Sequence, residues 1–250
     1  MILPGAEIFE RAGLEAWPGI EVEWDGAWVR RAANGYTQRA NSVQSLDPAD
    51  DADAAARIEA SCAWFAARGL PPIFRITPLA GPAIVEALDR QGWRAIDASH
   101  LFAMPMPPVE PDPRGECVSL LDPAFLAAQQ RLQNYSDDRL ARCRALLSVV
   151  AVPACGVLLR DADGTVVASA LRAVAGGIVV TGNVVTDPAR RRQGHAAAMM
   201  RTGLAWAGAR GAAIAALNVA ADNPAGQALY RSLGYTHRYD YVYRIPGAAA

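Results

Sequence analysis

Hydrophobic and polar positions fall into two patterned blocks separated by a proline-rich stretch. In the first block, residues 21–24 and 27–32 alternate with the two-residue period of strands, and Asp25-Gly26 supplies a hairpin turn between them. Asn34-Gly35 marks a second turn, and residues 36–43 read as a third strand. Ile58, Cys62 and Phe65 recur on one helical face, which predicts a helix over 53–68. Pro71-Pro72 then precede a strand at 73–77, a helix at 82–90, a Gly92-Trp93 turn and a last strand near 100–104. The predicted order is β-β-β-α-β-α-β.

Residues 104–115, MPMPPVEPDPRG, contain five prolines and read as a stiff, extended linker. The second block opens with a strand at 118–121 and two helices at 123–133 and 137–147, with Ser136 as N-cap of the second. Strands follow at 156–160 and 166–173 around the turn Asp161-Ala162-Asp163-Gly164, and again at 178–185. A helix after Gly194, a strand at 214–219, a second helix and a strand at 239–245 complete the order β-α-α-β-β-β-α-β-α-β.

The two blocks align at one constant offset of 142 positions. It relates Trp64 to Trp206, Arg68 to Arg210, Gly69 to Gly211, Pro82 to Pro224, Gly92 to Gly234, Gly35 to Gly177 and Asn41 to Asn183. AWFAARG at 63–69 thus matches AWAGARG at 205–211. The period is far too long for a solenoid and predicts a duplicated domain. The expected organisation is a first copy over 1–104, a linker over 105–115 and a second copy over 116–250.

The chemistry concentrates where the strand at 178–185 meets the following helix. Met200, Gly203, Leu204 and Ala207 share one face of that helix, and Arg191-Arg192-Gln193-Gly194-His195-Ala196 forms the loop before it. Small residues at 194 and 196 let backbone N–H groups turn toward an anion at the helix N-terminus, where the helix dipole adds attraction. Arg191 and Arg192 add full positive charge. The expected ligand is the diphosphate of an elongated cofactor.

R-x-x-G-x-A at 191–196 resembles the (Q/R)-x-x-G-x-(G/A) loop of the GNAT superfamily, the GCN5-related N-acetyltransferases. A second segment, Asn223-Pro224-Ala225-Gly226-Gln227-Ala228-Leu229-Tyr230 with Leu233-Gly234-Tyr235, is similar to the family's N-x-x-A-x-x-L-Y…G-(F/Y), with Gly226 where alanine is usual. The resemblance implies an α/β fold of two tandem GNAT-like domains, each with a central mixed, mostly antiparallel sheet flanked by helices. It implies that Arg191, Arg192, Gln193, Gly194, His195 and Ala196 bind the pyrophosphate of acetyl-CoA, taken as co-substrate. It further implies that Val184, Val185 and Thr186 pair with the pantetheine arm, that Asn223 and Gly226 border the cofactor, and that Tyr230 is the general acid toward the departing thiolate. His195 is expected to offer only its backbone N–H.

No general base is evident on 178–185, and Asn183 is read as the holder of a relaying water. Asn134, Tyr135, Asp137 and Asp138, between the two early helices of the second copy, and Arg39 and Asn41 in the first copy are read as acceptor-side residues. The first copy looks degenerate. Ala49-Asp50-Asp51-Ala52-Asp53-Ala54 stands opposite the arginine loop, with Leu88 at the place of Tyr230 and Gly81 at that of Asn223. Like charges repel, so only the second copy is expected to bind the cofactor. The first also starts too late to hold the family's first strand and first two helices. The predicted activity is acetyl transfer to a primary amine of a small molecule or peptide. A different acyl-CoA donor, or CoA binding without turnover, are the alternatives.

Composition narrows the setting. With 52% hydrophobic residues and a net charge of −1, the chain reads as a soluble globular protein without the basic surface that nucleic-acid binding needs. All 24 cationic residues are arginine, which is read as genome composition. Cys62, Cys117, Cys143 and Cys155 form no C-x-x-C and lie in no zinc spacing with histidine, so no metal is expected and a reducing cytoplasm fits. The N-terminus lacks a signal-peptide pattern and no run is long enough to span a membrane, so no membrane partner is expected. Monomer and homodimer both stay open.

Overall fold

The computed structural model describes residues 2–247. The chain opens with α1 (Ala6–Ala16), followed by β1 (Glu21–Asp25), β2 (Trp28–Ala32), β3 (Val43–Ser45), α2 (Ala54–Ala66), β4 (Phe74–Ile76), α3 (Pro82–Arg90) and β5 (Arg94–Pro105). The second half contributes β6 (Gly115–Val118), α4 (Pro123–Gln133), α5 (Asp137–Leu147), β7 (Ala154–Arg160), β8 (Val166–Ala175) and β9 (Ile178–Thr186). It ends with α6 (His195–Gly208), β10 (Ile214–Ala220), α7 (Pro224–Ser232) and β11 (Thr236–Ile245).

Several helices begin where local chemistry dictates. Asp122 accepts the Ala124 N–H at 2.8 Å ahead of Pro123, Ser136 accepts the Arg139 N–H at 3.2 Å, and Asn223 accepts the Gly226 N–H at 2.9 Å ahead of Pro224. Asp137 and Asp138 place negative charge in the first turn of α5, where the helix dipole favours it.

The strands of both halves join in one mixed sheet of order β1-β2-β3-β4-β11-β5-β10-β9-β8-β7-β6. The two copies exchange their last strands. β5 pairs antiparallel with β10, from Ile214↔Pro105 to Ala220↔Ser99, and β11 lies between β4 and β5. The expected two sheets are therefore one, and neither half owns all its neighbours. α3 at 82–90 and α7 at 224–232 stand 142 positions apart, so the internal repeat is structural as well as sequential.

One apolar core gathers Phe9, Phe125, Leu146, Leu158 and Leu171 beneath α1, α4 and α5, and a second gathers Phe102, Val157, Met199, Met200 and Leu204 beneath α6. A third, around Trp28, Ile58, Phe65, Phe74 and Leu88, belongs to α2 and α3. α1 belongs to the first half but packs on β8 and β9. Its buried Glu10 pairs with Arg75 of β4 and accepts from Gln44 of β3 at 2.8 Å and Tyr239 of β11 at 2.7 Å. Burial alone would raise the Glu10 pKa, but the Arg75 guanidinium and these hydrogen bonds hold it below its ordinary value.

Two expectations need correction. The strand expected over 36–43 is a turn with a short 3-10 segment at Gln38–Ala40, because Asn41 captures its backbone. Asn41 accepts from Ala33 N at 2.7 Å and Gly35 N at 3.0 Å, and donates to the Tyr36 and Thr37 carbonyls at 2.9 and 2.7 Å. The first copy does hold a leading helix, α1. The stretch between β5 and β6 runs against α6: Met106 N–H donates to the Ala213 carbonyl at 2.9 Å, and buried Asp112 pairs with Arg114 and Arg201, both at 2.9 Å. The four cysteines are free thiols, and among the described residues no helix is long and apolar enough to cross a membrane.

Candidate active site

β9 and β10 pair in parallel from Ile214↔Ile178 to Leu217↔Thr181, and there the pairing stops. β9 continues to Thr186 beside β8, while β10 continues to Ala220 beside β5. The two strands splay apart, so backbone groups of residues 182–186 on the β10 side have no strand partner. The β8–β9 register slips between Ser169↔Val185 and Leu171↔Gly182, which inserts one extra residue into β9. Asn183 sits in this bulge with φ 50. Gln129, fully buried on α4, donates to the Asn183 carbonyl at 3.2 Å and to Ser169 Oγ at 3.0 Å, so the bulge is braced from behind.

The splay opens into a cavity of about 550 Å³ lined by Val184, Val185, Thr186, Arg190, Arg191, Arg192, Gly194, His195, Ala196, Asn223, Gly226 and Tyr230, among others. Gly194 caps α6 with φ 77, a left-handed conformation that glycine adopts without the penalty other residues carry. Arg192, two residues earlier, is also left-handed at φ 66. Left-handed residues of this kind shape a concave backbone suited to anions. Arg190 pairs with Asp161 and Asp163, but among the described residues Arg191 and Arg192 have no acidic partner. Among the described residues no carboxylate lines this cavity. The arrangement can hold a polyphosphate at one end and an extended chain along β9.

Tyr230 stands where this cavity meets a second one of about 220 Å³, lined by Arg39, Thr181, Asn183, Asn218 and Asn223 with neighbouring residues of β9 and β10. Val184, Asn223 and Tyr230 line both. Burial pushes the Tyr230 hydroxyl above its ordinary pKa, and the Arg172 guanidinium pulls it partly back. The phenol therefore keeps its proton at neutral pH. Gly226, where an alanine was expected from the resemblance, has its own local reason. A Cβ there would meet Asn223 Nδ2 at 2.8 Å, because the Asn223 side chain folds over it to cap α7.

The first half supplies part of this wall. Asn183 Nδ2 donates to the Tyr36 hydroxyl at 3.2 Å, and that hydroxyl lies 3.2 Å from the hydroxyl of Tyr135. Tyr36 was not singled out from sequence, because its turn was read as a strand. Gln133, Arg190, Ala197, Ala225 and Leu229 also line the larger cavity unforeseen; the i, i+3, i+4 spacing of Gly226, Leu229 and Tyr230 was the available signal for Leu229.

Other expected residues lie elsewhere. Asn41 spends its amide on the 33–37 turn and lines neither cavity. Asn134 is the exposed left-handed C-cap of α4. Asp137 accepts from Gln130 at 2.6 Å and Asp138 pairs with Arg142 at 2.9 Å, both on the exposed side of α5. Tyr135 lines neither cavity among the described residues and reaches the site through the Tyr36 hydroxyl at 3.2 Å. Gln193 is exposed and lies outside the cavity lining, 3.3 Å from His195 Nε2.

The loop of the first half that matches the arginine loop carries acids that bond within that half. Asp51, opposite Gln193, accepts the Ala83 and Ile84 N–H groups at 2.6 and 3.0 Å, so it occupies the N-terminus of α3, the counterpart of α7. Asp50 accepts the Ala27 N–H at 2.6 Å and pairs with Arg57 at 2.9 Å.

A family model described as "Probable histone acetyltransferase Rv0428c C-terminal" matches residues 6–244. The Mycobacterium tuberculosis protein of the name Probable histone acetyltransferase Rv0428c is 38% identical over 63 residues; that match spans 25% of this chain and only 20% of the relative. The Bacillus subtilis protein called Uncharacterized N-acetyltransferase YobR is 24% identical over 243 residues, covering 94% of this chain and 96% of its own. Among solved structures, a GCN5-related N-acetyltransferase from Kribbella flavida aligns with TM-score 0.71 at 22% identity, covering 98% of both chains. A tandem GNAT protein from the clavulanic acid biosynthesis pathway aligns with TM-score 0.65 at 12% identity over 95% of this chain and 87% of its own.

Proposed function

Because the chain belongs to the family of the Rv0428c C-terminal acetyltransferase region, and so to the GNAT acyltransferases, we propose that it moves an acetyl group from acetyl-CoA to a primary amine by direct transfer. The observation that carries this reading is the continuous cleft in which a cationic, left-handed loop, an unpaired strand edge and a buried protonated tyrosine follow one another. Residues 116–250 hold the working site, and the first copy walls it.

Arg191, Arg192 and the N–H groups of Gly194, His195 and Ala196 hold the pyrophosphate at the α6 N-terminus. The free backbone of Val184, Val185 and Thr186 extends the pantetheine arm toward Asn183, with Asn223 and Gly226 bordering it. Acetyl-CoA supplies a thioester whose carbonyl carbon is open to attack. The amine nitrogen forms the C–N bond, the C–S bond breaks, and Tyr230 gives its proton to the leaving sulfur. The nitrogen loses its extra proton through water held by Asn183, and the phenolate is reprotonated from solvent. Holding both reactants in line supplies much of the rate.

The test is thiol release with acetyl-, propionyl- and succinyl-CoA against a panel of primary amines. Turnover highest with acetyl-CoA supports the reading. Preference for a larger donor would reassign the donor, and tight acetyl-CoA binding without turnover on any amine would favour a CoA-binding protein.

A further inference from the structure

The smaller cavity carries information about the acceptor. Its lining contains one cation, Arg39, and no carboxylate. Arg39 comes from the first half, and among the described residues its guanidinium makes no hydrogen bond or ion pair; its buried Nε is without a partner. Buried guanidinium N–H groups left unmade are costly, so such a group in a substrate pocket is complementary to a ligand acceptor. The same cavity holds the opposite vacancy. Asn218 Oδ1 is buried, accepts no hydrogen bond, and suits an N–H donor.

The charge behind the pocket points the same way. A small internal cavity joins Arg39 and Asn218 to Arg31, Arg75 and Glu10. Arg75 is paired with Glu10, whereas Arg31 is fully buried and, among the described residues, its side chain donates only to the Trp17 carbonyl at 3.0 Å. Burial, with Arg75 and Arg39 nearby, brings the Arg31 pKa down to about 9, still mostly charged at neutral pH. Three guanidiniums therefore face one carboxylate beneath this pocket. A lysine-rich or polyamine acceptor would meet repulsion there, while an anionic group would be attracted.

We infer that the acceptor is a small amine that also carries a carboxylate a few bonds away, an amino-acid-type zwitterion, with its carboxylate on Arg39 and its nitrogen on Asn218 Oδ1. This inference rests on the acyl-transfer reading of the cleft. It also bears on the missing base. A net positive field disfavours the ammonium form, so the pocket itself raises the fraction of neutral amine.

The experiment compares free amino acids with their own carboxamides, glycine with glycinamide and alanine with alaninamide, in wild type, Arg39→Gln and Arg39→Lys. Calorimetry on the CoA-loaded protein reads binding and thiol release reads turnover, with acetyl-CoA binding as the check that each variant is folded. A hydrogen bond to a charged group predicts about a 10- to 100-fold preference for the acid over the amide. Arg39→Gln should bring that ratio close to one, and Arg39→Lys should keep part of it. Equal binding of acid and amide, no acid binding, or a preference that survives Arg39→Gln would overturn the inference. Amide or polyamine turnover without acid preference would overturn it and leave the acetyl-transfer reading standing. Arg39-dependent acid binding without turnover would do the reverse.

Discussion

Asn183 on β9 donates its side-chain amide to the hydroxyl of Tyr36, which lies in the other half of the chain, at 3.2 Å. The bulge that shapes the cleft is thus tied to a turn of the first copy. The strand exchange ties the halves more strongly still, since both neighbours of β11 come from the first half.

Residues 116–250 expressed alone should therefore fail to give a cooperative monomer. Tyr241 and Tyr243, which pack with Ile73, would lose their partner, and β10 would expose an unpaired edge. Size-exclusion chromatography with thermal unfolding checks this. A monomer with one sharp transition and retained acetyl-CoA binding would refute it.

One acetyl-CoA per chain is expected, because the loop before α2 carries Asp50, Asp51 and Asp53 in place of the arginines, and Asp51 is already bonded to the α3 N–H groups. Asp51→Ala should cost about 0.5–2 kcal/mol of stability, the usual loss of a cap, without creating a second site. Calorimetric stoichiometry gives the count, and a value of two would contradict the assignment.

Gly194 separates conformation from crowding. A Cβ there would meet no heavy atom within 4 Å, but φ is 77. Gly194→Ala should therefore cost about 1–2 kcal/mol through the backbone alone. Gly194→Asp adds a negative charge beside the diphosphate and should weaken acetyl-CoA binding further than Gly194→Ala, although aspartate at a helix N-cap costs no more stability than alanine. Equal affinities for the two variants would place the diphosphate elsewhere.

Asp112 sets an acid limit. Hydrogen bonds from Arg114 dominate its environment and hold its carboxyl at about 2, against about 3.9 in an unfolded chain. The folded value is the lower, so its stabilising contribution is complete above about pH 4 and disappears as pH falls toward 2. Asp112→Asn should lower Tm at pH 6 and flatten the slope of Tm between pH 4 and 2. An unchanged slope would mean that other carboxylates govern acid unfolding.

What the sequence carried was mostly local. Pro82, Asp122-Pro123 and Ser136 mark helix starts through their own chemistry, and the observed α3, α4 and α5 match the predicted spans. α1 was hidden because Glu10 interrupts the apolar stripe of Phe9, Ala12 and Ala16. Its charge is compensated by Arg75, 65 residues away. The exposed first half of β5 has weak strand character of its own and is held by pairing with β11. Exchange of β5 and β11 depends on pairing across the whole chain, and no short-range pattern encodes it. The acceptor wall followed the same rule: Asn41 resembled a cleft residue by its offset from Asn183, yet its neighbours turned it to the backbone.

In the proposed reaction, amine and thioester meet in the β9–β10 cleft with Tyr230 as proton donor. Single-turnover rapid quench, with acetyl-CoA bound beforehand and an acceptor added, measures that step apart from product release. Wild type should form the N-acetyl product, and Tyr230→Phe should slow its formation by about 10²- to 10⁴-fold with acetyl-CoA affinity nearly unchanged. Equal single-turnover rates in the two proteins would contradict the claim.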